Sequence, residues 1–112
     1  MNIIIKEQNT VKELYNYICD VEKIKKIPLL FKTVGKGGAK LVFYKNSKCP
    51  VSINIDLYGI CIGASYALCH EVAHQILVST EGDARHGSNF KKLEKKLVAK
   101  YATCEIARKL VF

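Results

Sequence analysis

The chain has 112 residues and a mass of 12.6 kDa, which is the size of one domain and leaves no room for a second core. Hydrophobic residues make up 49% and charged residues 25%, a composition that excludes a disordered tail, a collagen-like fibre and a low-complexity linker. Eighteen lysines and arginines against ten acidic residues give a net charge of +8, which predicts either an anionic partner or a solubilising surface.

The cysteines and the N-terminal residues bear on the compartment. The five cysteines form no C-x-x-C pair, so we expect neither a disulfide framework nor a four-cysteine zinc knuckle. The N-terminal sequence MNIIIKEQNT has a short apolar run before its first charge, so it predicts no signal peptide, and no stretch is apolar enough to span a membrane. We therefore expect a cytoplasmic protein with no membrane partner, or a nuclear one if the source has a nucleus.

The first half of the chain predicts one helix followed by three strands. Residues 2–6 predict a short strand or an ordered tail, Thr10 is a candidate N-cap, and apolar residues recur at helical spacing from Val11 to Val21. Residues 29–34 and 39–45 predict two strands of a hairpin around a glycine-rich turn. Residues 51–57 alternate apolar with polar side chains, which is typical of a half-buried strand.

The second half predicts two helices separated by a polar loop. A helix is expected from Ser65 to about Ser79, and a last helix after Ser88 has an apolar stripe that ends at Tyr101. The predicted fold class is α+β. A small three-stranded sheet, antiparallel or mixed, packs against an N-terminal helix, the helix of residues 65–79 and a C-terminal helix, and one domain covers residues 1–112.

The motif H-E-x-x-H occurs once, as His70-Glu71-Val72-Ala73-His74, inside a helix predicted from periodicity alone. Four residues advance a helix by about 400°, so His70 and His74 project from one face. Two imidazoles so placed can bind one Zn²⁺, with Glu71 as the general base that acts on a zinc-bound water. Because a catalytic zinc takes three protein ligands, the remaining histidine of the chain, His86, is the predicted third ligand.

Three alternatives to this interpretation stay open. The histidines can be ordinary surface or core residues beside an incidental glutamate. A structural zinc would add a cysteine ligand, Cys61 or Cys69, although Cys69 points about 100° away from its neighbour His70 around the helix. A site of two histidines and one carboxylate would instead take one of three downstream glutamates, Glu81, Glu94 or Glu105, each of which is otherwise a solvated charge.

The arrangement H-E-x-x-H, a short polar loop and then H-G-x-x-F opening a helix resembles the SprT-like (Spartan-like) zinc metalloprotease family. In this chain the two motifs are HEVAH at 70–74 and HGSNF at 86–90, and residues 52–55 are similar to the family's strand before the active-site helix. The resemblance covers most of the chain. A metzincin is excluded because its longer motif needs Gly and His where Leu77 and Thr80 stand.

The resemblance implies a zincin-like domain in which His70, His74 and His86 hold zinc and Glu71 is the catalytic acid/base. It implies a metalloendopeptidase that hydrolyses protein or peptide substrates, including DNA-associated proteins, since Spartan-like members degrade proteins crosslinked to DNA. Many members continue into a C-terminal zinc ribbon or DNA-binding segments. This chain has no C-x-x-C pair before Phe112, so we expect no accessory zinc ribbon.

Other residues are candidates for substrate handling. The oxyanion that develops during peptide hydrolysis needs a stabiliser besides zinc, and the candidates are Tyr58, Arg85 and Tyr101. Gly87 is expected to allow a tight turn that brings His86 to the metal. The strand at 39–45 is either an ordinary strand or an edge that pairs with an extended substrate.

Lysines fall into two clusters. Residues 23–48 contain eight lysines and no acid, and residues 91–100 contain the second cluster, namely Lys91, Lys92, Lys95, Lys96 and Lys100. On a helix, Lys92, Lys96 and Lys100 share one face, which is either a solvated surface or a contact for DNA phosphates. The alternative function is therefore a non-catalytic, zinc-stabilised basic module that binds nucleic acid.

Overall fold

The structure is a computed structural model, and it describes residues 3–32, 38–44, 48–56 and 63–110. The elements in chain order are α1 (Ile3–Glu22), β1 (Leu29–Lys32), β2 (Ala39–Phe43), β3 (Pro50–Asp56), α2 (Ala64–Glu81) and α3 (Ser88–Leu97). A π-helical turn, Val98–Ala102, continues α3, and a 3-10 turn, Ala107–Leu110, follows. The predicted α+β class with three strands and three helices is confirmed for the described residues. None of these helices is long and apolar enough to cross a membrane.

The sheet is mixed, with the strand order β1-β3-β2. β3 pairs in parallel with β1 and antiparallel with β2, and Ile53 lies opposite both Leu29 and Leu41. The predicted hairpin of the first two strands is wrong, because β3 lies between them. The prediction that β3 is half-buried is also wrong, since its polar residues Ser52 and Asp56 are buried together with its isoleucines. β3 is the central strand with a neighbour on each side, so its polar positions are less accessible than the outward-facing positions of the edge strands β1 and β2.

The first helix begins earlier than its sequence pattern predicts. α1 begins at Ile3, so residues 3–6 are helical rather than a strand or a tail. Thr10 does not cap the helix but lies within it, and its Oγ1 donates a hydrogen bond to the carbonyl oxygen of Lys6 at 3.0 Å. A threonine can bond back to the preceding turn in this way, so its presence does not mark a helix start.

The second helix lies at the centre of the fold. α2 packs against α1, β2, β3 and α3, and its apolar residues join one core with those of α1 and β3. The members that are fully buried include Val11, Leu14, Ile18, Ile53, Ile55, Leu68 and Val72. Because α2 is enclosed on several sides, the histidine motif is built on a rigid element.

A hydrogen-bond network ties α2 to α1 and to the segment that enters the sheet. The Tyr15 hydroxyl donates to Gln75 Oε1 at 2.8 Å and accepts from the Ile27 N–H at 3.1 Å. Gln75 Nε2 donates to the Lys25 carbonyl at 2.6 Å. Burial raises the pKa of Tyr15, so its hydroxyl stays protonated and can donate. Since Gln75 directly follows His74, this network fixes the rotation of the helix at the motif.

Candidate metal centre

The three histidines of the chain meet at one point. His70 and His74 lie one turn apart on α2, and His86 lies in the loop between α2 and α3. The Nε2 atom of His86 is 3.0 Å from Nε2 of His74 and 3.3 Å from Nε2 of His70. One ligand atom from each of the three residues lies within 4.8 Å of the others. The structure therefore brings the three predicted ligands close enough to bind one metal ion.

The spacing of these nitrogens fits a tetrahedral zinc. Two nitrogens at about 2.0–2.1 Å from a tetrahedral ion lie about 3.3 Å apart, close to both measured separations. Each Nε2 atom of a neutral imidazole has either one hydrogen to donate or one lone pair to accept. Nε2 of His86 lies close to Nε2 of both His74 and His70, so it cannot form a full hydrogen bond to each of them. Three imidazoles are also a donor set that catalytic zinc uses. The residues present therefore fit a zinc ion.

Burial favours the form of His74 that binds metals. His74 is 8% exposed, and burial, together with the neighbouring His70 and His86, lowers its pKa from 6.5 to about 4. A neutral imidazole offers the lone pair that a metal needs, whereas an imidazolium does not. His74 is therefore ready to act as a ligand at neutral pH.

Glu71 lies beside the cluster without belonging to it. Its Oε2 atom is 4.0 Å from Nε2 of His70, and the residue is 4% exposed. Burial raises the pKa of its carboxyl, against the opposing effects of His70 and of a hydrogen bond from the Leu41 backbone. A buried carboxyl with a raised pKa next to a metal position is suited to accept a proton and return it.

A cavity of about 250 Å³ separates the histidines from the edge of the sheet. Its walls are the three histidines and Glu71, residue Ala84, and four residues of β2: Ala39, Lys40, Leu41 and Phe43. β2 is an edge strand, and the Asp56 N–H donates to the Gly38 carbonyl at 3.0 Å. Antiparallel pairing alternates along the strand, so the backbone groups of Ala39 and Leu41 point away from β3.

Helix α3 supports the histidines through two side chains. The buried Phe90 ring stacks on His74 with a centroid distance of 4.3 Å, and it lies 4.9 Å from both His70 and His86. One turn later, Oε2 of Glu94 is 2.5 Å from Nδ1 of His70. Glu94 is thus a neighbour of a predicted ligand, a role that the sequence pattern did not predict. The spacing of four residues from Phe90 places Glu94 on the same face of α3 but does not show which element that face meets.

Of the predicted alternative ligands, Cys69, Glu81, Glu94 and Glu105 lie in the part of the chain that the structure describes, and none belongs to the histidine cluster. Cys69 is fully buried and its Sγ contacts the Leu97 carbonyl at 3.7 Å, so it does not complete a zinc site. Glu81 and Glu105 are exposed and do not join the cluster. Cys61 lies outside the described residues.

Neither of the two oxyanion candidates that the structure describes, Tyr101 and Arg85, lines the cavity. Tyr101 is buried in the core and its hydroxyl donates to Glu22 on α1, so its predicted role is wrong. The exposed guanidinium of Arg85 donates to Asp83 at 3.0 Å, and neither residue lines the cavity. Tyr58 lies outside the described residues.

The role predicted for Gly87 is also wrong. Its φ of −78° and ψ of −169° are extended values that any residue adopts. A Cβ added there would meet nothing within 4 Å. The loop therefore needs no glycine at this position to bring His86 to the other two histidines.

The lysines after His86 differ in their partners. Lys100, in the π-helical turn, donates to Glu22 at 2.7 Å, so its charge is paired. The α3 lysines, defined as Lys91, Lys92, Lys95 and Lys96, are exposed and form no ion pair with any described residue. On the predicted face, Lys92 and Lys96 thus form no ion pair with a described residue, whereas Lys100 is paired with Glu22.

Comparison with protein-family models, with curated proteins and with solved structures finds no match for this chain. The resemblance to SprT-like proteases therefore stays a prediction from the two motifs. The case for a function depends on the geometry of the metal centre and its cavity.

Proposed function

We propose that the chain is a zinc-dependent metalloendopeptidase of zincin-like, SprT-like type. The observation behind this proposal is the convergence of three histidine Nε2 atoms at separations of 3.0 and 3.3 Å, beside the buried carboxyl of Glu71. A zinc ion, when bound, supplies Lewis acidity that makes water acidic enough to attack near neutral pH and polarises a peptide carbonyl.

The side chains around this centre have separable tasks. His70, His74 and His86 would hold the ion, and no fourth side chain among the described residues joins them. Glu71 accepts the proton of the attacking water on a carboxylate oxygen and delivers it to the leaving amine nitrogen. Its burial keeps bulk water from competing for that proton, and the raised pKa of its carboxyl favours acceptance of the proton.

The cavity favours an extended peptide as substrate. The Ala39 backbone groups and the Leu41 carbonyl point away from β3 and can pair with an extended peptide by main-chain hydrogen bonds, which places a peptide bond next to Glu71. The Leu41 N–H already donates to the Glu71 carboxyl, so it orients that carboxyl rather than the peptide.

Removal of the metal is expected to abolish peptide hydrolysis. Dialysis against a chelator should lower the rate on a quenched-fluorescence peptide library by about 100-fold or more, because the Lewis acid contributes several kcal/mol to the barrier. One equivalent of zinc should restore the rate, and Mg²⁺ should not, because imidazole ligands suit zinc. Hydrolysis that survives chelation, or zinc-loaded protein that cleaves no library member, would contradict the proposal.

A second candidate function is a zinc-stabilised module that binds nucleic acid. The observation that favours it is the set of α3 lysines, which are exposed and form no ion pair with any described residue. Lysine ammonium groups hold backbone phosphates without reading bases. The two functions are compatible, because α3 begins two residues after His86 and its lysines therefore lie near the metal centre without being part of it. A protease held on DNA by these lysines would act on DNA-associated proteins.

Neutralising two of these lysines should weaken binding to DNA and flatten its salt dependence. If Lys92 and Lys96 each contact a phosphate, the double variant Lys92→Gln/Lys96→Gln lowers the slope of log K against log salt by about 2. The matched control, Lys6→Gln/Lys32→Gln, removes the same charge from exposed positions outside α3 and should keep the slope. Fluorescence anisotropy with a short DNA duplex at several salt concentrations measures the affinity and its salt slope for each variant. If the two double variants lose equal affinity and equal slope, the lysines act only through the general charge of the protein.

A further inference from the structure

The metal centre contains a second carboxylate that the proposed reaction does not use. Oε2 of Glu94 is 2.5 Å from Nδ1 of His70, and the two side chains are 33% and 34% exposed. The other ring nitrogen of His70, Nε2, lies 3.3 Å from Nε2 of His86. The imidazole of His70 therefore bridges a carboxylate on one side and the metal cluster on the other.

This contact decides which nitrogen of His70 bears the proton. An ionised carboxylate has only acceptors, so the hydrogen between the two groups belongs to Nδ1. Nε2 is then unprotonated, and its lone pair points at the cluster. In the opposite tautomer, a lone pair on Nδ1 would face the carboxylate, which is unfavourable, and the proton on Nε2 would occupy the nitrogen that faces the metal position.

Rigid packing holds Glu94 in place. Glu94 lies one turn after Phe90, whose ring contacts all three histidines, and one turn before Leu97, which is fully buried. The carboxylate is therefore presented from a helix fixed against the core. His74 differs, because its buried Nδ1 has no hydrogen-bond partner among the described residues and the ring is held by stacking on Phe90.

We propose that Glu94 is a positioning residue for the metal centre, which holds His70 in the Nδ1–H tautomer with Nε2 directed at the ion. The inference rests on the metal site of the proposed function but not on peptide hydrolysis. Glu94 also supplies a carboxylate on the outer side of a site built from three imidazoles. Such outer carboxylates orient a ligand and raise its basicity, so the effect falls on metal affinity.

The test compares three variants by zinc titration with a competing chelator. Glu94→Ala removes the acceptor and should lower zinc affinity about 10- to 100-fold. Glu94→Gln keeps an oxygen that can accept from Nδ1 but loses the charge, so its loss should be smaller. Glu105→Gln makes the same charge change at an exposed position outside the cluster and should match the wild type. Wild-type affinity in Glu94→Ala would overturn the proposal.

A second readout needs no variant. In wild-type protein without metal and labelled with ¹⁵N-histidine, long-range ¹H–¹⁵N spectra at pH 8 should show His70 with its proton on Nδ1. A proton on Nε2 would overturn the proposal, and in Glu94→Ala the Nε2–H form should gain population. Zinc-loaded wild type that cleaves no peptide would remove the peptidase function and leave both readouts intact, whereas unchanged affinity in Glu94→Ala would remove only the role of Glu94.

Discussion

Replacing Glu71 by glutamine is expected to lower kcat/KM for peptide hydrolysis about 10²- to 10⁴-fold, the contribution typical of a general base. The amide has nearly the same shape as the carboxyl but does not accept the proton of the attacking water. Zinc affinity should be unchanged, because Glu71 lies beside the histidine cluster and is not part of it. The loss should therefore appear in catalysis with the metal site intact.

The fold should tolerate this substitution. Burial makes the charged form of Glu71 unfavourable and raises its pKa, so a neutral amide removes a desolvation cost. The amide oxygen can still accept the hydrogen bond from the Leu41 backbone. We expect the midpoint of thermal unfolding to stay the same or rise slightly.

Glu81→Gln is the matched control for this experiment. It makes the same chemical change on the same helix, at an exposed position outside the cavity. Rates on the peptide library and zinc content are measured for the wild type and both variants. If Glu71→Gln and the wild type cleave alike, Glu71 is not the general base. If only Glu71→Gln is inactive, a contaminating protease is excluded.

The sequence predicts those parts of the site whose residues are close together along the chain. The helical positions of His70, Glu71 and His74 follow from a spacing of one turn, which depends only on neighbours in the chain. His86 was predicted because a catalytic zinc needs a third ligand, and the structure places its Nε2 atom 3.0 Å from that of His74. Both inferences use short separations along the chain.

The contact between Glu94 and His70 was out of reach because it joins residues 24 positions apart. It depends on the angle at which α3 returns over α2, and that angle is set by packing rather than by local propensity. Tyr101 shows the opposite case. Tyr101 belongs to the apolar stripe after Ser88, and this pattern correctly predicts a buried side chain. The oxyanion role was inferred from its hydroxyl group alone, without regard to that burial.

Strand order was also beyond the local patterns. Two strands separated by a glycine-rich segment resemble a hairpin, yet β3 lies between β1 and β2. The burial of Ser52 and Asp56 also depends on this order, because alternation along one strand does not report that the strand lies between two others. The exposed edge of β2 that faces the histidines follows from this order.

Replacing His86 by alanine is expected to weaken zinc binding about 10²- to 10³-fold, if the 10–16 kcal/mol of a four-ligand site is shared among its ligands. His86 is the best of the three ligands to test because it is exposed and lies in a loop, so its removal leaves the core intact. His74, in contrast, is buried and stacked on Phe90, and its loss would disturb packing as well as metal binding. Peptide hydrolysis should fall with zinc occupancy.

The neighbouring substitution Arg85→Ala provides the control and tests a second role. Arg85 is exposed, pairs with Asp83 and does not line the cavity, so zinc affinity and hydrolysis should both match the wild type. Thermal unfolding with and without zinc separates metal binding from fold stability, because an ion that binds only the folded state raises the midpoint. We expect the same rise in the wild type and in Arg85→Ala and a smaller rise in His86→Ala at equal zinc concentration, while the metal-free midpoints of all three agree. A zinc-dependent rise in His86→Ala as large as that of the wild type would remove His86 from the ligand set, and a slow Arg85→Ala variant with normal zinc affinity would assign Arg85 a part in catalysis.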